Sequence, residues 1–116
     1  MSDSCLFCRI LAGELPAERV AENEHSIAIR DIAPRAPVHV LVLPRTHVTS
    51  IHGIGTDERE LLWACLALAR EVVELEGIAD GYRLVTNVGP LGGQTVFHFH
   101  VHVLGGRQLG HIDSLG

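Results

Sequence analysis

Three of the eight histidines of this 116-residue chain alternate with apolar residues between positions 94 and 104. Successive side chains of a β-strand point to opposite faces, and the aromatic and β-branched residues of this stretch favour a strand. His98, His100 and His102 are therefore predicted to share one face, about 13 Å from first to last at the usual rise per residue. The other face is predicted to pack on the core through Phe97, Phe99, Val101 and Val103.

Three imidazoles on one face suit two kinds of chemistry. Catalytic zinc commonly takes three protein ligands, although same-face neighbours on a strand lie ~7 Å apart at the backbone and would have to converge. Alternatively, one neutral imidazole attacks a phosphorus or carbonyl centre while its neighbours bind the oxyanion and move protons. Both a zinc hydrolase and a covalent catalyst are compatible with these residues.

A glycine-rich loop, residues 89–95, leads directly into the histidines. Its glycines let backbone N–H groups approach a phosphate closely, and the side chains of Gln94 and Thr95 add further donors. By itself such a loop is equally typical of a hairpin turn. Its position directly before the histidines favours a phosphate cradle beside a nucleophile.

The composition predicts a single domain over residues 1–116, with 47% hydrophobic residues and a net charge of −5. This charge argues against broad binding to nucleic acid or to an anionic membrane, and no apolar run is long enough to span a bilayer. The first residues lack the basic and apolar regions of a signal peptide. Three cysteines, two of them at Cys-x-x-Cys spacing, do not make a secreted disulfide framework, so a cytoplasmic location is predicted.

The pattern predicts an α+β domain, in which an antiparallel sheet of about five strands is combined with one long and one short helix. The short helix covers residues 5–13. The long helix runs from Thr56 to Gly77, with a capping box formed by Asp57 and Glu60. Its apolar stripe is predicted to be Leu61, Cys65, Leu68, Ala69, Val72 and Leu75. Besides the histidine strand, strands are predicted over residues 19–22, 26–31, 38–43 and 82–88.

Two further polar residues have an ordinary structural interpretation. His39 lies near the start of the apolar strand 38–43 and is compatible with a hydrogen-bonded core residue. Asp31 precedes residues 32–37, where two prolines exclude a central strand and predict a connecting loop. An aspartate at such a place is typical of a residue that caps a turn.

Residues 92–104 resemble the motif of the histidine triad family, in which three histidines separated by apolar residues follow a glutamine. The Gly-Gly-Arg-Gln of residues 105–108 resembles the Hint branch of that family, the purine nucleoside phosphoramidases. The resemblance extends over nearly the whole chain, including Asp31-Ile32 with the prolines that follow, the strand 38–44, and Asn87. The chain is therefore identified as a member of this family.

The resemblance implies a homodimer in which two five-stranded sheets join into one ten-stranded sheet. It also implies hydrolysis of nucleoside 5′-phosphoramidates: AMP or GMP conjugates of ammonia or lysine, or aminoacyl-adenylates. His100 would be the nucleophile, forming a nucleotidyl-histidine intermediate, with no cofactor required for the chemistry. The other members of the catalytic set would be His98, His102 and His39.

The resemblance also implies which residues bind the purine nucleotide. Asp31 would accept a hydrogen bond from the ribose, and the Thr95 hydroxyl would reach the leaving group. The phosphate would meet Asn87, Gly93 and Gln94. The base would lie between apolar side chains, whose alternative role is ordinary core: Leu6, Phe7, Ile10, Ile29 and Ile32.

A subset of the family carries a structural zinc ion, and the resemblance implies that Cys5, Cys8, His47 and His98 would hold it here. Two thiols at this spacing are also compatible with core residues, whereas a thioredoxin-like redox site would need a preceding strand. Two cysteines and two histidines suit tetrahedral zinc. If zinc binds, His98 is a ligand and acts by orienting its strand.

Two other functions remain open. One is dinucleoside polyphosphate hydrolysis, as in the Fhit branch, against which residues 105–108 argue. The other is a nucleotide-binding scaffold dimer whose hydrolysis is incidental. Residues 109–116 lack the Trp-Pro-Pro-Gly ending usual in the Hint branch, so the resemblance does not indicate the specificity for the leaving group.

Overall fold

The computed structural model describes residues 5–112, and in this part of the chain five strands form one antiparallel sheet. The strands are β1 Arg19–Glu22, β2 Ser26–Arg30, β3 Val38–Pro44, β4 Tyr82–Val85 and β5 Val101–Gly105. Their order in the sheet is β1-β2-β3-β5-β4. The helices are α1 Leu6–Leu11 and α2 Arg59–Leu75, with short 3-10 turns at Ile51–Gly53, Thr56–Glu58 and Pro90–Gly92. The predicted α+β fold with five strands, one long helix and one short helix is confirmed. None of the helices within residues 5–112 has the length and hydropathy of a membrane span.

The two faces of the sheet are covered by different helices. Helix α2 packs on one face, against Ala28 of β2, Val40 and Val42 of β3, and Val101 and Val103 of β5. On the other face, α1 packs on Ile27, Ile29, Leu41 and Leu43 through Phe7 and Ile10.

The pairing of β3 with β5 places two histidines on the α1 face. His39 is separated from Leu41 and Leu43 by an even number of positions along β3 and therefore faces the same side of the sheet. His102 of β5 lies directly opposite Leu41. Because side chains alternate along a strand, both imidazoles point away from α2. The face that α1 covers only in part is therefore the one that carries the histidines.

The start of α2 differs from the predicted capping box of Asp57 and Glu60. The helix begins at Arg59, after the 3-10 turn, and Glu58 closes the turn instead. Its carboxylate accepts the N–H of Gly55 at 2.8 Å, and its own N–H donates to the Gly55 carbonyl at 3.0 Å. Because this turn already satisfies backbone N–H groups at the start of the helical segment, the capping contact is made by Glu58. The predicted pair, Asp57 and Glu60, does not form it.

The apolar stripe of α2 also ends differently from the prediction. Leu75 is 59% exposed, whereas Val73 is buried. The last turn instead directs Glu76 toward the sheet, where its carboxylate accepts two hydrogen bonds from the Arg30 guanidinium at 2.9 and 3.0 Å. This ion pair fastens the end of the helix to β2.

The predicted histidine strand is shorter than expected, because β5 begins only at Val101. Before it, the Phe99 N–H donates to the Val48 carbonyl at 2.6 Å, and the Thr86 hydroxyl donates to the His100 carbonyl at 2.8 Å. Phe97, predicted to lie in the core, is 45% exposed, since the alternation of a regular strand does not extend back to it. Strands β2 and β4 likewise end before the predicted residues 31 and 88.

The matched pair Leu68→Ala and Leu75→Ala tests this assignment of the α2 faces. Leu68 is fully buried between helix and sheet, so its truncation is expected to lower the free energy of unfolding by about 2–5 kcal/mol. The exposed Leu75 is expected to change it by no more than about 0.5 kcal/mol. Chemical denaturation followed by circular dichroism measures both, and equal losses would contradict the assignment.

Candidate active site

A cleft of about 530 Å³ opens on the α1 face of the sheet. Nine of the ten residues predicted to bind the nucleotide line it, and Gln94 is the exception. Its apolar lining includes Leu6, Phe7, Ile10, Ile29 and Ile32. Its polar lining includes Asp31, Asn87, Thr95 and the imidazoles of His39, His100 and His102, with Gly93 beside them.

The ring of His100 is held in one tautomer by its own segment of chain. Its Nδ1 atom lies 2.7 Å from the His98 carbonyl oxygen, which can only accept, so Nδ1 carries the proton. The lone pair is therefore on Nε2, for which no group within residues 5–112 is a hydrogen-bond partner. The residue is 8% exposed, and burial lowers the pKa of the imidazole. His100 is thus a neutral imidazole with a free nitrogen in a ring that lines the cleft.

The proton positions on His39 and His102 follow from the same reasoning. The backbone N–H of Arg35 donates to Nδ1 of His39 at 3.0 Å, which leaves the His39 proton on Nε2. That atom is 2.9 Å from Nδ1 of His102, which must accept, so the His102 proton is on Nε2. Burial lowers the pKa of His39, and burial with the neighbouring His100 and His39 lowers that of His102 to about 4. Both rings are neutral near pH 7.

Asp31 has two roles in the structure. Its Oδ1 atom accepts the N–H of Ala33 at 2.8 Å, which is the turn-capping contact that its position predicts. Its Oδ2 atom lies 3.4 Å from Nε2 of His39 at the wall of the cleft. The carboxylate therefore caps its turn and still presents an acceptor beside the histidines.

The Gln94 side chain stabilises the glycine-rich loop through hydrogen bonds within the protein. Its side-chain carbonyl accepts the Gly89 N–H at 2.8 Å, and its amide donates to the carbonyls of Thr49 and Val96 at 2.7 and 3.1 Å. The residue is 5% exposed and does not line the cleft. Both polar atoms of this side chain are bonded within the protein, so Gln94 shapes the loop rather than facing a ligand directly.

The ring of His98 points into a different site from the other two histidines of its motif. It is fully buried outside the cleft lining, and its Nε2 donates to the Pro44 carbonyl at 2.9 Å. Its Nδ1 lone pair faces Sγ of Cys5 at 3.4 Å, Sγ of Cys8 at 3.6 Å and Nδ1 of His47 at 3.2 Å. Burial, with the neighbouring His47 and His100, lowers the pKa of His98 to about 4. The hydrogen bond between His98 and His100 is made by the backbone carbonyl of His98 and not by its ring.

Cys5, Cys8, His47 and His98 could hold a metal ion, because one ligand atom from each lies within 4.8 Å of all the others. The donor set fits this role, since the bond to Pro44 keeps the proton of His98 off the nitrogen that faces the thiols. Burial and the hydrogen bond with Cys5 raise the pKa of the Cys8 thiol to about 11. Binding of an ion would therefore release protons from the thiols.

Asp31, His39 and His102 also bring three ligand atoms within 4.8 Å of one another. This second group does not fit a metal ion, because the Arg35 N–H occupies Nδ1 of His39 and forces the proton onto the nitrogen that would have to ligate. Instead, Nε2 of His39 is hydrogen-bonded to Nδ1 of His102 at 2.9 Å, and Oδ2 of Asp31 lies 3.4 Å from the same nitrogen.

Several residues that line the cleft were not predicted from the sequence. Leu41 could have been found, because it shares a strand face with His39. The segment between α1 and β1 carries no signal of its own and is placed by the packing of α1. These additional residues are Leu15, Pro16, Ala17, Arg30, Ala33, Arg35, Leu41 and Val96.

The fold and this site together define a small domain of the histidine triad class. The chain matches the HIT domain over residues 12–109, and it belongs to the HIT family. The Escherichia coli (strain K12) protein named purine nucleoside phosphoramidase is 38% identical over 111 residues, which cover 95% of this chain and 93% of that protein.

Two solved structures share the fold at nearly full length. The HIT family hydrolase from Legionella pneumophila is 45% identical with a TM-score of 0.91, covering 96% of this chain and 100% of that chain. The HIT family hydrolase from Clostridium thermocellum is 45% identical with a TM-score of 0.90, covering 94% of this chain and 96% of that chain. These findings confirm the family predicted from the histidine motif.

Titration with Co²⁺ tests the metal-binding capacity of the cysteine–histidine cluster. The chain with reduced thiols is expected to bind one equivalent, with the sulfur-to-metal charge-transfer absorption of a tetrahedral thiolate site. Cys8→Ser is expected to lose most of this absorption, whereas Cys65→Ser, at a buried cysteine outside the cluster, is expected to keep it. Absence of the band in the unmodified protein would contradict the assignment.

Proposed function

We propose that this protein hydrolyses nucleoside 5′-phosphoramidates through a covalent intermediate on His100. The observation that carries the proposal is the hydrogen bond from Nδ1 of His100 to the His98 carbonyl, which leaves a neutral nucleophilic nitrogen in a ring at the cleft wall. The histidine triad membership and the name of the Escherichia coli relative support this class of reaction.

The cleft suits an AMP or GMP conjugate. A purine base would pack on apolar side chains such as Phe7 and Ile10, and the Asp31 carboxylate would accept a hydrogen bond from the ribose. Asn87, Gly93 and Thr95 would surround the phosphate. Gly93 has a backbone φ of +86°, a conformation that favours glycine and shapes the loop at this wall.

The reaction would proceed in two steps. The Nε2 lone pair of His100 attacks phosphorus, the phosphorus–nitrogen bond to the amine breaks, and the departing nitrogen takes up a proton, for which the Thr95 hydroxyl is the proposed route. Water then attacks phosphorus, its proton restores the Thr95 hydroxyl, the bond from phosphorus to Nε2 breaks and the nucleoside monophosphate is released. Ammonia and lysine are the proposed leaving amines. In an aminoacyl-adenylate the bond that breaks is instead the phosphorus–oxygen bond, and the amino acid leaves as its carboxylate without taking up a proton.

The cysteine–histidine cluster is proposed to hold structural zinc. Two thiolates and two imidazoles form the donor set that zinc prefers in closed tetrahedral sites. An ion there would cross-link α1 to the His98 segment without taking part in the reaction. The cluster requires reduced thiols, which suits the proposed cytoplasmic location.

A homodimer is proposed through the edge strand β4. This strand is the last in the sheet order, so one side of its backbone has no neighbouring strand within residues 5–112, and Tyr82 and Leu84 expose apolar side chains along it. Pairing with β4 of a second copy would cover this edge and form a ten-stranded sheet.

Release of AMP from adenosine 5′-phosphoramidate tests the proposed reaction. His100→Ala is expected to lower kcat/KM at least about 10³-fold, because it removes the group that forms the intermediate. The control variant His52→Ala, at an exposed histidine of the 3-10 turn Ile51–Gly53, is expected to keep full activity.

Chelation distinguishes covalent catalysis from the zinc-hydrolase alternative. The wild type is expected to retain its activity with chelator as long as circular dichroism shows the fold intact. Retained activity in His100→Ala would contradict the proposal. So would loss of wild-type activity in chelator with the fold unchanged.

Leu84→Lys tests the dimer, because it places a charge on the proposed strand–strand contact. The wild type is expected to run as a dimer in light scattering coupled to size exclusion, and Leu84→Lys as a monomer at micromolar concentration. Leu75→Lys, at an exposed leucine of α2, is the control and is expected to remain dimeric. A monomeric wild type would refute the proposed assembly.

A further inference from the structure

The cysteine–histidine cluster contains two thiols that are one helical turn apart. Cys5 is the N-cap of α1, and its Sγ atom accepts the backbone N–H of Cys8 at 3.3 Å. The Cys5 carbonyl accepts the Arg9 N–H at 3.0 Å, so this turn has the hydrogen bonding of an α-helix. In that geometry residues three apart have Cα atoms about 5 Å from each other, which lies within the range that a disulfide spans.

The two sulfur atoms are near enough to be joined by movements of the side chains. They lie within 4.8 Å of each other and of the imidazole nitrogens of the cluster. A disulfide bond brings its two sulfur atoms to about 2.05 Å. Rotation of the two side chains toward each other closes this gap, and the turn between them stays helical. Because the same sulfur atoms would ligate a metal ion, an ion and a disulfide exclude each other.

Reagents can reach these two thiols from solvent. Cys5 lines a second pocket of about 330 Å³, which shares Leu6, Thr95 and Val96 with the cleft. Cys8 is also only partly buried. The remaining cysteine, Cys65, is fully buried on the sheet side of α2 and lines neither pocket. The chain therefore offers an accessible pair of thiols and a buried thiol that serves as an internal control.

We propose that Cys5 and Cys8 are an oxidation site, at which a small disulfide such as oxidised glutathione forms a reversible Cys5–Cys8 disulfide and removes the ligands of the metal ion. The Cys5 sulfur attacks the glutathione disulfide and releases one glutathione, and the Cys8 sulfur attacks the resulting mixed disulfide and releases the second. Two electrons pass from the cysteines to glutathione, which takes up the two thiol protons. With an ion bound, both cysteines react as thiolates, two glutathione thiolates leave, and the divalent cation loses its sulfur ligands.

Closing the disulfide removes polar contacts that attach α1 to the sheet. The sulfur atoms of Cys5 and Cys8 lie 3.4 and 3.6 Å from Nδ1 of His98, and Cys8 also lies 3.3 Å from Nδ1 of His47. A sulfur that turns toward the other cysteine turns away from these imidazoles. The apolar contacts of α1 then remain as its attachment.

The loss of these contacts has a consequence for the cleft. Leu6 and Phe7 lie between the two cysteines in the sequence, and both line the cleft. A wall that is held less firmly binds its ligand less tightly, because binding must then order it. We therefore expect oxidation to weaken nucleotide binding. This consequence rests on the proposed function, whereas the disulfide itself does not.

Peptide mass spectrometry tests the disulfide. The whole protein, reduced and freed of metal, is incubated with oxidised glutathione, unfolded, alkylated and digested with trypsin. The peptide that ends at Arg9 is expected to be about 2 Da lighter than its dithiol form, and excess reduced glutathione is expected to restore the dithiol. Cys65 is expected to be recovered as an alkylated thiol. Thiols of Cys5 and Cys8 that stay reduced, or that end as glutathione adducts, would overturn the proposal.

Zinc release tests the exclusion of the metal ion. The protein loaded with Zn²⁺ is expected to release one ion to a chromogenic indicator for each disulfide formed, and Cys65→Ser is expected to behave identically. Excess Zn²⁺ is expected to raise the oxidised glutathione needed for half-oxidation at least about 10-fold, because the ion binds only the dithiol form. Oxidation at the same concentration with and without Zn²⁺ would contradict the exclusion.

Calorimetric titration with AMP tests the effect on the cleft. The oxidised, metal-free wild type is expected to bind AMP at least about 5-fold more weakly than the reduced, metal-free wild type, and reduction is expected to restore the affinity. The double variant Cys5→Ser/Cys8→Ser cannot form the disulfide, so the oxidant is expected to leave its affinity unchanged. Circular dichroism checks that each form is folded. Equal affinities of the oxidised and reduced wild type would refute the effect on nucleotide binding.

Failure of the proposed reaction gives a different pattern from failure of this inference. If the reduced protein binds AMP but cleaves no phosphoramidate, while the disulfide and the change in affinity are as expected, the proposed function is wrong and the oxidation site stands. If the reduced protein cleaves the amidate and its thiols resist oxidised glutathione, or oxidation leaves the affinity for AMP unchanged, the inference is wrong and the function stands.

Discussion

The 2.7 Å hydrogen bond from Nδ1 of His100 to the His98 carbonyl is the contact on which the proposed chemistry of the cleft depends. It sets which nitrogen of His100 is free, and it does so through backbone that is itself held in place. The His98 ring anchors that backbone twice, by its bond to Pro44 and by its contacts with the two thiols and His47. One buried residue thus belongs to the cysteine–histidine cluster by its side chain and holds the His100 ring by its main chain.

The aromatic ring of Phe7 joins the same two centres from the other side. It packs edge-on against His98 and His100, with ring centroids 5.8 and 5.0 Å apart, and it also forms part of the apolar wall of the cleft. Its helix, α1, is six residues long and is too short to be stable by itself. The buried contacts of Phe7 and Ile10, with those of the Cys5 and Cys8 thiols, therefore hold the helix against the sheet. The wall of the cleft and the position of the His100 ring share these contacts.

The sequence predicted the fold well because its strongest signals are periodic. Strand β1 was predicted to the residue, and the alternation within residues 38–43 and the helical spacing from Leu61 to Val72 placed β3 and α2 on their correct faces. The predictions failed where tertiary contacts compete with local pattern. Alternating histidines favour a strand, but hydrogen bonds from Phe99 to Val48 and from Thr86 to His100 hold that part of the chain outside the ladder.

For the candidate site, the sequence predicted which residues come together but not how their side chains are hydrogen-bonded. Residues of the motif were found by their spacing. The tautomers of the imidazoles, in contrast, depend on partners that the local sequence does not reveal. His98 bonds to Pro44, which is far away in sequence, and His39 accepts from Arg35 in the folded loop before its strand. Gln94 was assigned to the phosphate because an amide beside glycines suggests a donor. Its bonds to Gly89, Thr49 and Val96 could be known only from the folded loop.

The late start of β5 at Val101 has a consequence for any attempt to redesign this domain. Within a continuous sheet, an inner strand offers each carbonyl to a neighbouring strand. Here the main chain at His98 lies outside the ladder, and its carbonyl oxygen accepts the Nδ1–H of His100 instead. Extending the ladder by three residue pairs, back to His98, would give a longer sheet, yet it would compete for the carbonyl oxygen that accepts the Nδ1–H of His100. The proposed chemistry therefore limits how far this sheet can be lengthened.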